Sequence, residues 1–133
     1  MLQNLQKSRR GGFTLVEIMI VVAIIALLAA IAVPNFLRAR KRSQATRILE
    51  DLRMLDAAID QYAIENNRAS GTAVAFTDVK NYLKAGTVLY NSGTDLFGNS
   101  YGAFTVDTVP KVPNSAFVTL SDVADNTFWS PYK

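Results

Sequence analysis

The chain has 133 residues, enough for one small domain, with 14 basic against 11 acidic side chains and neither cysteine nor histidine. Without cysteine there is no disulfide framework and no thiolate metal site. Without histidine the commonest general base and the commonest metal ligand are missing, so neither an enzymatic role nor a cofactor is expected. The formal charge of +3 sits at the start of the chain: Lys7, Arg9 and Arg10 are the only charged residues before Glu17, and the other 11 basic residues balance the 11 acidic ones. If the first dozen residues are removed, the basic character goes with them, and no nucleic-acid partner is expected.

Residues 1–12 are polar and basic and end in Gly11-Gly12. Residues 13–33 are apolar except for Thr14 and Glu17. A helix of that length reaches roughly 30 Å at ~1.5 Å per residue, about the thickness of a hydrocarbon core. From Pro34 to about Asn67 the pattern becomes amphipathic. Ile48, Leu52, Leu55, Ile59 and Tyr62 recur at steps of 4, 3, 4 and 3 and line one face, while Glu50, Asp51, Arg53, Asp56 and Asp60 between them read as a solvated face. Pro34 can kink a helix without ending it. One helix from about residue 13 to 66 is expected, stopped by Asn66-Asn67 and Ser70-Gly71.

Beyond Gly71 the chain is rich in Thr, Val, Phe, Tyr, Gly and Asn and has no long helical period. A short helix over 77–83 is expected, with Thr77 or Asp78 as cap. Strand candidates are 88–90, 101–106 and 116–120, with turns at Asn91-Ser92-Gly93 and Phe97-Gly98-Asn99. So small a C-terminal part cannot bury enough surface alone. An α+β fold is therefore expected, one long N-terminal helix with a hydrophobic first half, packed by its second half on a small antiparallel sheet through the Ile48/Leu52/Leu55/Ile59 stripe.

Glu17 is the anomaly, because charge within hydrocarbon is costly. Thr14-Leu15-Val16-Glu17 fits the capping box, with Thr14 as N-cap and Glu17 as N3, and Phe13 and Ile18 fit a hydrophobic staple around it. A carboxylate in the first turn also favours the helix macrodipole. Three readings of the N-terminus compete. A secretory signal would be cut after Ala30-Ile31-Ala32, releasing a chain that starts at Val33. A plain signal anchor would be oriented by its flanks, but Lys7, Arg9 and Arg10 precede the span and Arg38, Arg40, Lys41 and Arg42 follow it, so charge decides nothing.

The third reading rests on a resemblance. The stretch RRGGFTLVEIMIVVAIIALLAAIAVPNF resembles the class III leader and N-terminal helix of type IV pilins and of type II secretion pseudopilins. It shares the basic leader, a glycine before the cut, Phe at the new terminus, Glu four residues later, and a proline about 20 residues on. The resemblance implies cleavage by prepilin peptidase between Gly12 and Phe13 and N-methylation of Phe13. It also implies outward placement of the C-terminal domain. Three segments follow: a leader at 1–12, a transmembrane or filament-core helix at 13–40, and a globular domain at 41–133. In a bundle of such helices the amine of an incoming Phe13 could meet the Glu17 carboxylate of a neighbouring copy, making Glu17 an assembly residue.

Other residues invite lesser readings. Arg38, Arg40, Lys41 and Arg42 could hold nucleic acid or lipid headgroups, but no aromatic residues are interleaved, and an interfacial charge collar is the simpler reading. Asp95-Leu96-Phe97-Gly98-Asn99-Ser100-Tyr101 resembles the D-P-W-G-N-P-Y stretch of major pseudopilins, departing at Leu96, Phe97 and Ser100. Asp122 and Asp125 could supply calcium ligands, but the Gly-rich acidic loop of that family is missing, and capping aspartates in a surface turn are the expectation. Phe128, Trp129 and Tyr132 read as packing.

The resemblance thus implies a structural subunit, the major pseudopilin of a type II secretion-like system before a type IV pilus pilin for adhesion, motility or DNA uptake. Its partners would be further copies of itself, prepilin peptidase, an inner-membrane assembly platform with minor pilins, and the lipid bilayer before assembly. It would start as a single-pass inner-membrane protein with a periplasmic domain and end in a filament in the periplasm or at the cell surface. A membrane-anchored or secreted binding module is the reading from another class.

Overall fold

The computed structural model describes residues 11–133, so Lys7, Arg9 and Arg10 of the expected leader lie outside the described residues. Helix α1 spans Leu15–Glu65 and runs on through Pro34. The chain divides into two units, one ending at Leu37 and the other comprising Arg38–Lys133.

In the first unit every described residue is exposed to its surroundings, its large hydrophobic side chains ranging from Phe13 at 85% to Ile18 at 48%. This is the apolar run expected from the sequence, and its helix is long and apolar enough to cross a membrane.

The second unit is organised by the rest of α1. Ile48, Leu52, Leu55 and Ile59 are all sealed from solvent, joined by Ala45, Leu49, Ala58 and Ala63 on the same face. Each of the four large side chains contributes roughly 1.5–3 kcal/mol by leaving water, which makes this stripe the seat of the domain. The helix ends in a Schellman motif. Asn67 adopts a left-handed φ of 48°, Arg68 N–H donates to Ala63 C=O at 2.9 Å and Asn67 N–H donates to Ile64 C=O at 3.4 Å. Asn66 adds a side-chain bond from Nδ2 to Tyr62 C=O.

After α1 come β1 (Ala73–Val74), α2 (Phe76–Val79) with a 3-10 turn at Lys80–Tyr82, α3 (Val88–Ser92), β2 (Phe104–Thr105), α4 (Asn114–Thr119) and α5 (Asn126–Trp129). The sheet has two antiparallel strands, with Ala73 opposite Thr105 and Val74 opposite Phe104. One core cluster joins Val74 and Phe104 to the α1 stripe and to Val79, Leu89, Ala116, Leu120 and Trp129. The α+β expectation therefore holds, with a smaller sheet than the three candidate strands imply.

Two of those strands are helices. Over 88–90 the flanks prevail: Thr87 Oγ1 accepts from Tyr90 N–H at 3.1 Å as an N-cap, and Gly93 closes the helix at φ 67°. Over 116–120 the buried residues are Ala116 and Leu120, four apart, which is a helical spacing and not an alternation. The third candidate, 101–106, shrinks to β2, because Gly102 takes φ 86° and breaks the extended run. The helix expected over 77–83 begins one residue earlier, at Phe76. Its cap differs too: Asp78 is not the N-cap but sits inside the first turn, where its Oδ2 accepts from Ala75 N–H at 3.1 Å.

Candidate functional site

At the head of α1 the capping box is formed in full. Glu17 N–H donates to Thr14 Oγ1 at 3.2 Å, and Thr14 N–H donates to Glu17 Oε2 at 3.0 Å. Two of the amide groups that a helix start leaves without partners are thereby satisfied. Directly before it, Gly11, Gly12 and Phe13 are exposed, and among the described residues, Gly12's chain neighbours apart, no heavy atom lies within 4 Å of where a Cβ on Gly12 would stand. The first anionic group past the Gly12-Phe13 bond is the Glu17 carboxylate.

The basic stretch after the apolar segment is split by the fold. Lys41 Nζ pairs with Asp122 Oδ2 at 2.9 Å, and Arg42 lies 5.9 Å from the Phe128 ring centroid. Arg38 and Arg40 are exposed, and the single ion pair among the described residues is Lys41–Asp122. The Lys41 ammonium holds the Asp122 carboxyl below its ordinary range. Asp125 caps α5, its Oδ1 accepting from Phe128 N–H at 2.9 Å, which lowers its pKa in the same direction. Both calcium candidates are thus engaged in local structure, and among the described residues no three acidic, His or Cys side chains gather to hold a metal ion.

The 95–101 stretch is a turn held by side-chain hydrogen bonds to Asp95. Asp95 is 1% exposed, and its Oδ1 accepts from Phe97 N–H and Asn99 N–H, each at 2.8 Å. Asn99 Nδ2 reaches Oδ2 at 3.0 Å. Gly98 adopts φ 85°, which the tight turn requires. The turn delivers Tyr101 into the core, where its hydroxyl donates to Asp51 Oδ2 at 3.0 Å. Asp51 therefore departs from the solvated face expected for it: it is 8% exposed, because the turn and Tyr101 cover it. Desolvation pushes its carboxyl above the ordinary range, and the Tyr101 hydroxyl and nearby Arg47 oppose that rise. The D-x-x-G-N spacing carries the signal for the Asp95 turn. Nothing in sequence links Tyr101 to Asp51, which are 50 residues apart.

A protein-family profile described as the prokaryotic N-terminal methylation motif matches residues 7–33. The type II secretion system core protein G of Aeromonas hydrophila is 38% identical over 64 residues, 48% of this chain and 45% of the relative. The type IV major fimbrial protein FimA of Dichelobacter nodosus is 35% identical over 88 residues, 66% of this chain and 56% of the relative. The type IV major pilin protein PilA of Myxococcus xanthus is 46% identical over 65 residues, 49% of this chain and 30% of the relative. The chain spans about half the length of the curated relatives it matches. No solved structure matches it. By the motif over its apolar helix and by these relatives, this chain is a homologue of type II secretion core proteins G and of type IV pilins, proteins named as parts of secretion systems and pili and not as enzymes.

Proposed function

We propose that this chain is the structural subunit of a pilin-like filament, in the specific form of the major pseudopilin of a type II secretion-like system. Prepilin peptidase cuts between Gly12 and Phe13 and methylates the Phe13 amine, and the released subunit polymerises from the inner membrane. Residues 13–40 pack in the filament core and the C-terminal domain forms the surface. Growth of the filament is mechanical work driven by an assembly platform, an ATPase and minor pilins elsewhere in the machine.

The observation that carries this reading is the head of α1: a Glu17 carboxylate placed by a capping box, four residues past Phe13, at the start of a segment whose large apolar side chains from Leu15 to Leu37 are all exposed. After cleavage Phe13 bears an α-amine, largely protonated at neutral pH with a typical pKa of ~7.7–8. Pairing it with Glu17 of a neighbouring copy offsets part of a penalty of roughly 2.5–3.5 kcal/mol for a charge deep in a bilayer. An unassembled subunit keeps that penalty, so the charge favours stacking.

Two measurements test this. N-terminal sequencing of the mature protein should return methylated Phe13, and a start at Val33 would refute the reading. Glu17→Gln preserves the capping box, so membrane insertion should persist while filament assembly fails; normal filaments would remove the charge pair from the account. The pilin relatives also support a surface pilus. Deleting the gene distinguishes the two, since loss of protein export marks a secretion subunit and loss of surface fibres alone marks a pilus.

A further inference from the structure

Between α1 and α3 lies a groove of about 300 Å³ whose α1 side is made by Arg47, Glu50, Asp51 and Met54 and whose α3 side includes Val88. Met54 and Val88 are apolar walls left 37% and 44% exposed. The floor is acidic. Asp51 is almost buried, yet Tyr101 engages only Oδ2, and Oδ1 accepts no hydrogen bond from any described residue. No sealed side-chain oxygen among the described residues lacks a partner, so Oδ1 opens to the groove and not to the core. Arg47 stands on the rim without an ion-pair contact to Asp51. Glu50 and Asp95 add negative charge nearby, and burial already disfavours the Asp51 carboxylate. Apolar walls over an acidic floor fit one ligand shape: a long side chain with methylenes along Met54 and Val88 and a cationic head on Asp51.

The same helix supplies such heads. Lys41 is taken by Asp122 and Arg42 lies against Phe128, whereas Arg38 and Arg40 are exposed and outside any ion pair among the described residues. A chain cannot fill its own groove, because Arg40 precedes Asp51 by 11 residues of one helix, ~16 Å at ~1.5 Å per residue. A parallel second copy displaced by ~16–20 Å, the rise of 11–13 residues, brings its Arg40 or Arg38 level with Asp51. We infer that the groove floored by Asp51 receives the Arg38 or Arg40 guanidinium of a second copy of this chain, an ionic lock between neighbouring subunits just outside the apolar packing segment. This rests on the filament reading and adds to it a contact with a different neighbour, because the Phe13–Glu17 pairing sets two copies only four residues, ~6 Å, apart.

The absence of native cysteine allows a direct test. Met54→Cys and Arg40→Cys are placed on separate copies, co-expressed, and the filaments are oxidised and run on non-reducing gels. Within one chain the two positions are ~21 Å apart along the helix, far beyond disulfide reach, so any cross-link is between copies. A covalent dimer is expected only when both variants are present, and filaments that yield monomer alone overturn the lock. In parallel, Asp51→Asn keeps an acceptor for Tyr101 while removing the charge. Filament yield should drop by about tenfold or more, as loss of a desolvated charge pair predicts, with the thermal melt unchanged or raised. Arg38→Gln with Arg40→Gln should give the same loss, and adding Asp51→Asn should cost nothing further, whereas additive losses or wild-type yields refute the pairing. If the wild-type chain forms no filament, the filament reading fails and the lock with it. If filaments form without the cross-link, only the lock fails.

Discussion

Tyr101→Phe removes one oxygen from the core and leaves the ring where it is. The oxygen lost is the only donor within the domain to the Asp51 side chain, which sits 8% exposed beneath the 95–101 turn. A hydrogen bond to a charged group contributes about 2 kcal/mol, so that is the expected loss of stability at pH 7. For a domain of this size it corresponds to a fall in Tm of roughly 8–16 °C. The loss should depend on pH with a definite sign. The folded Asp51 carboxyl is raised above its ordinary value near 3.8, so its contribution is fully favourable below that value and is lost as pH rises through the folded pKa. Removing the Tyr101 donor removes an influence that lowers this pKa, so the folded value rises further. The gap between wild type and variant is therefore widest at pH 7 and narrows at pH 4, where the protonated carboxyl needs less compensation. The assay is urea unfolding of the full chain in detergent micelles at both pH values, followed by fluorescence of Trp129, the one tryptophan and a fully buried one. An equal loss at pH 4 and pH 7, or no loss at either, would refute the placement of this hydrogen bond.

Asp95→Ala leaves two backbone amides of a tight turn without their acceptor, and a stability loss of about 3 kcal/mol is expected in the same urea assay, since each hydrogen bond to a charged group contributes roughly 1.5–3 kcal/mol. Leu55→Ala opens a cavity under the sealed α1 stripe and should cost about 2–5 kcal/mol by urea unfolding, the usual range for a buried leucine. Lys41→Gln breaks the Lys41–Asp122 pair, whose side chains remain 41% and 48% exposed. Solvent screening makes such a pair weak, and the thermal melt of the variant should overlay that of the wild type.

Much of this molecule is legible in its sequence because the signals are local or periodic. The capping box needs only Thr14 and Glu17 three positions apart, and both predicted hydrogen bonds form. The α1 stripe needs only a repeat of three and four residues, and all four of its large aliphatic members are buried. The C-terminal part is less legible because its elements are only two to six residues long. At that length a Thr cap and a Gly stop outweigh β-branched composition, as α3 shows, and a spacing of four cannot be told from an alternation until burial is known, as α4 shows.

What sequence alone determined is the head and spine of the protein: an apolar helix following Gly12-Phe13, a carboxylate at position 17 with a local partner, and an amphipathic continuation needing cover. Each depends on interactions within one helical turn or on one helix's period, which chain order contains. The tertiary structure alone decided the fate of charge on the outer half of α1. Asp51 and Asp60 are both acids on the amphipathic half of α1, yet Asp60 stays exposed and Asp51, which borders the buried stripe between Ile48 and Leu55, is buried. The difference is made by a turn closed around Asp95 and a tyrosine 50 residues away, and the pairing of side chains so distant in the chain is a product of packing that no local pattern encodes.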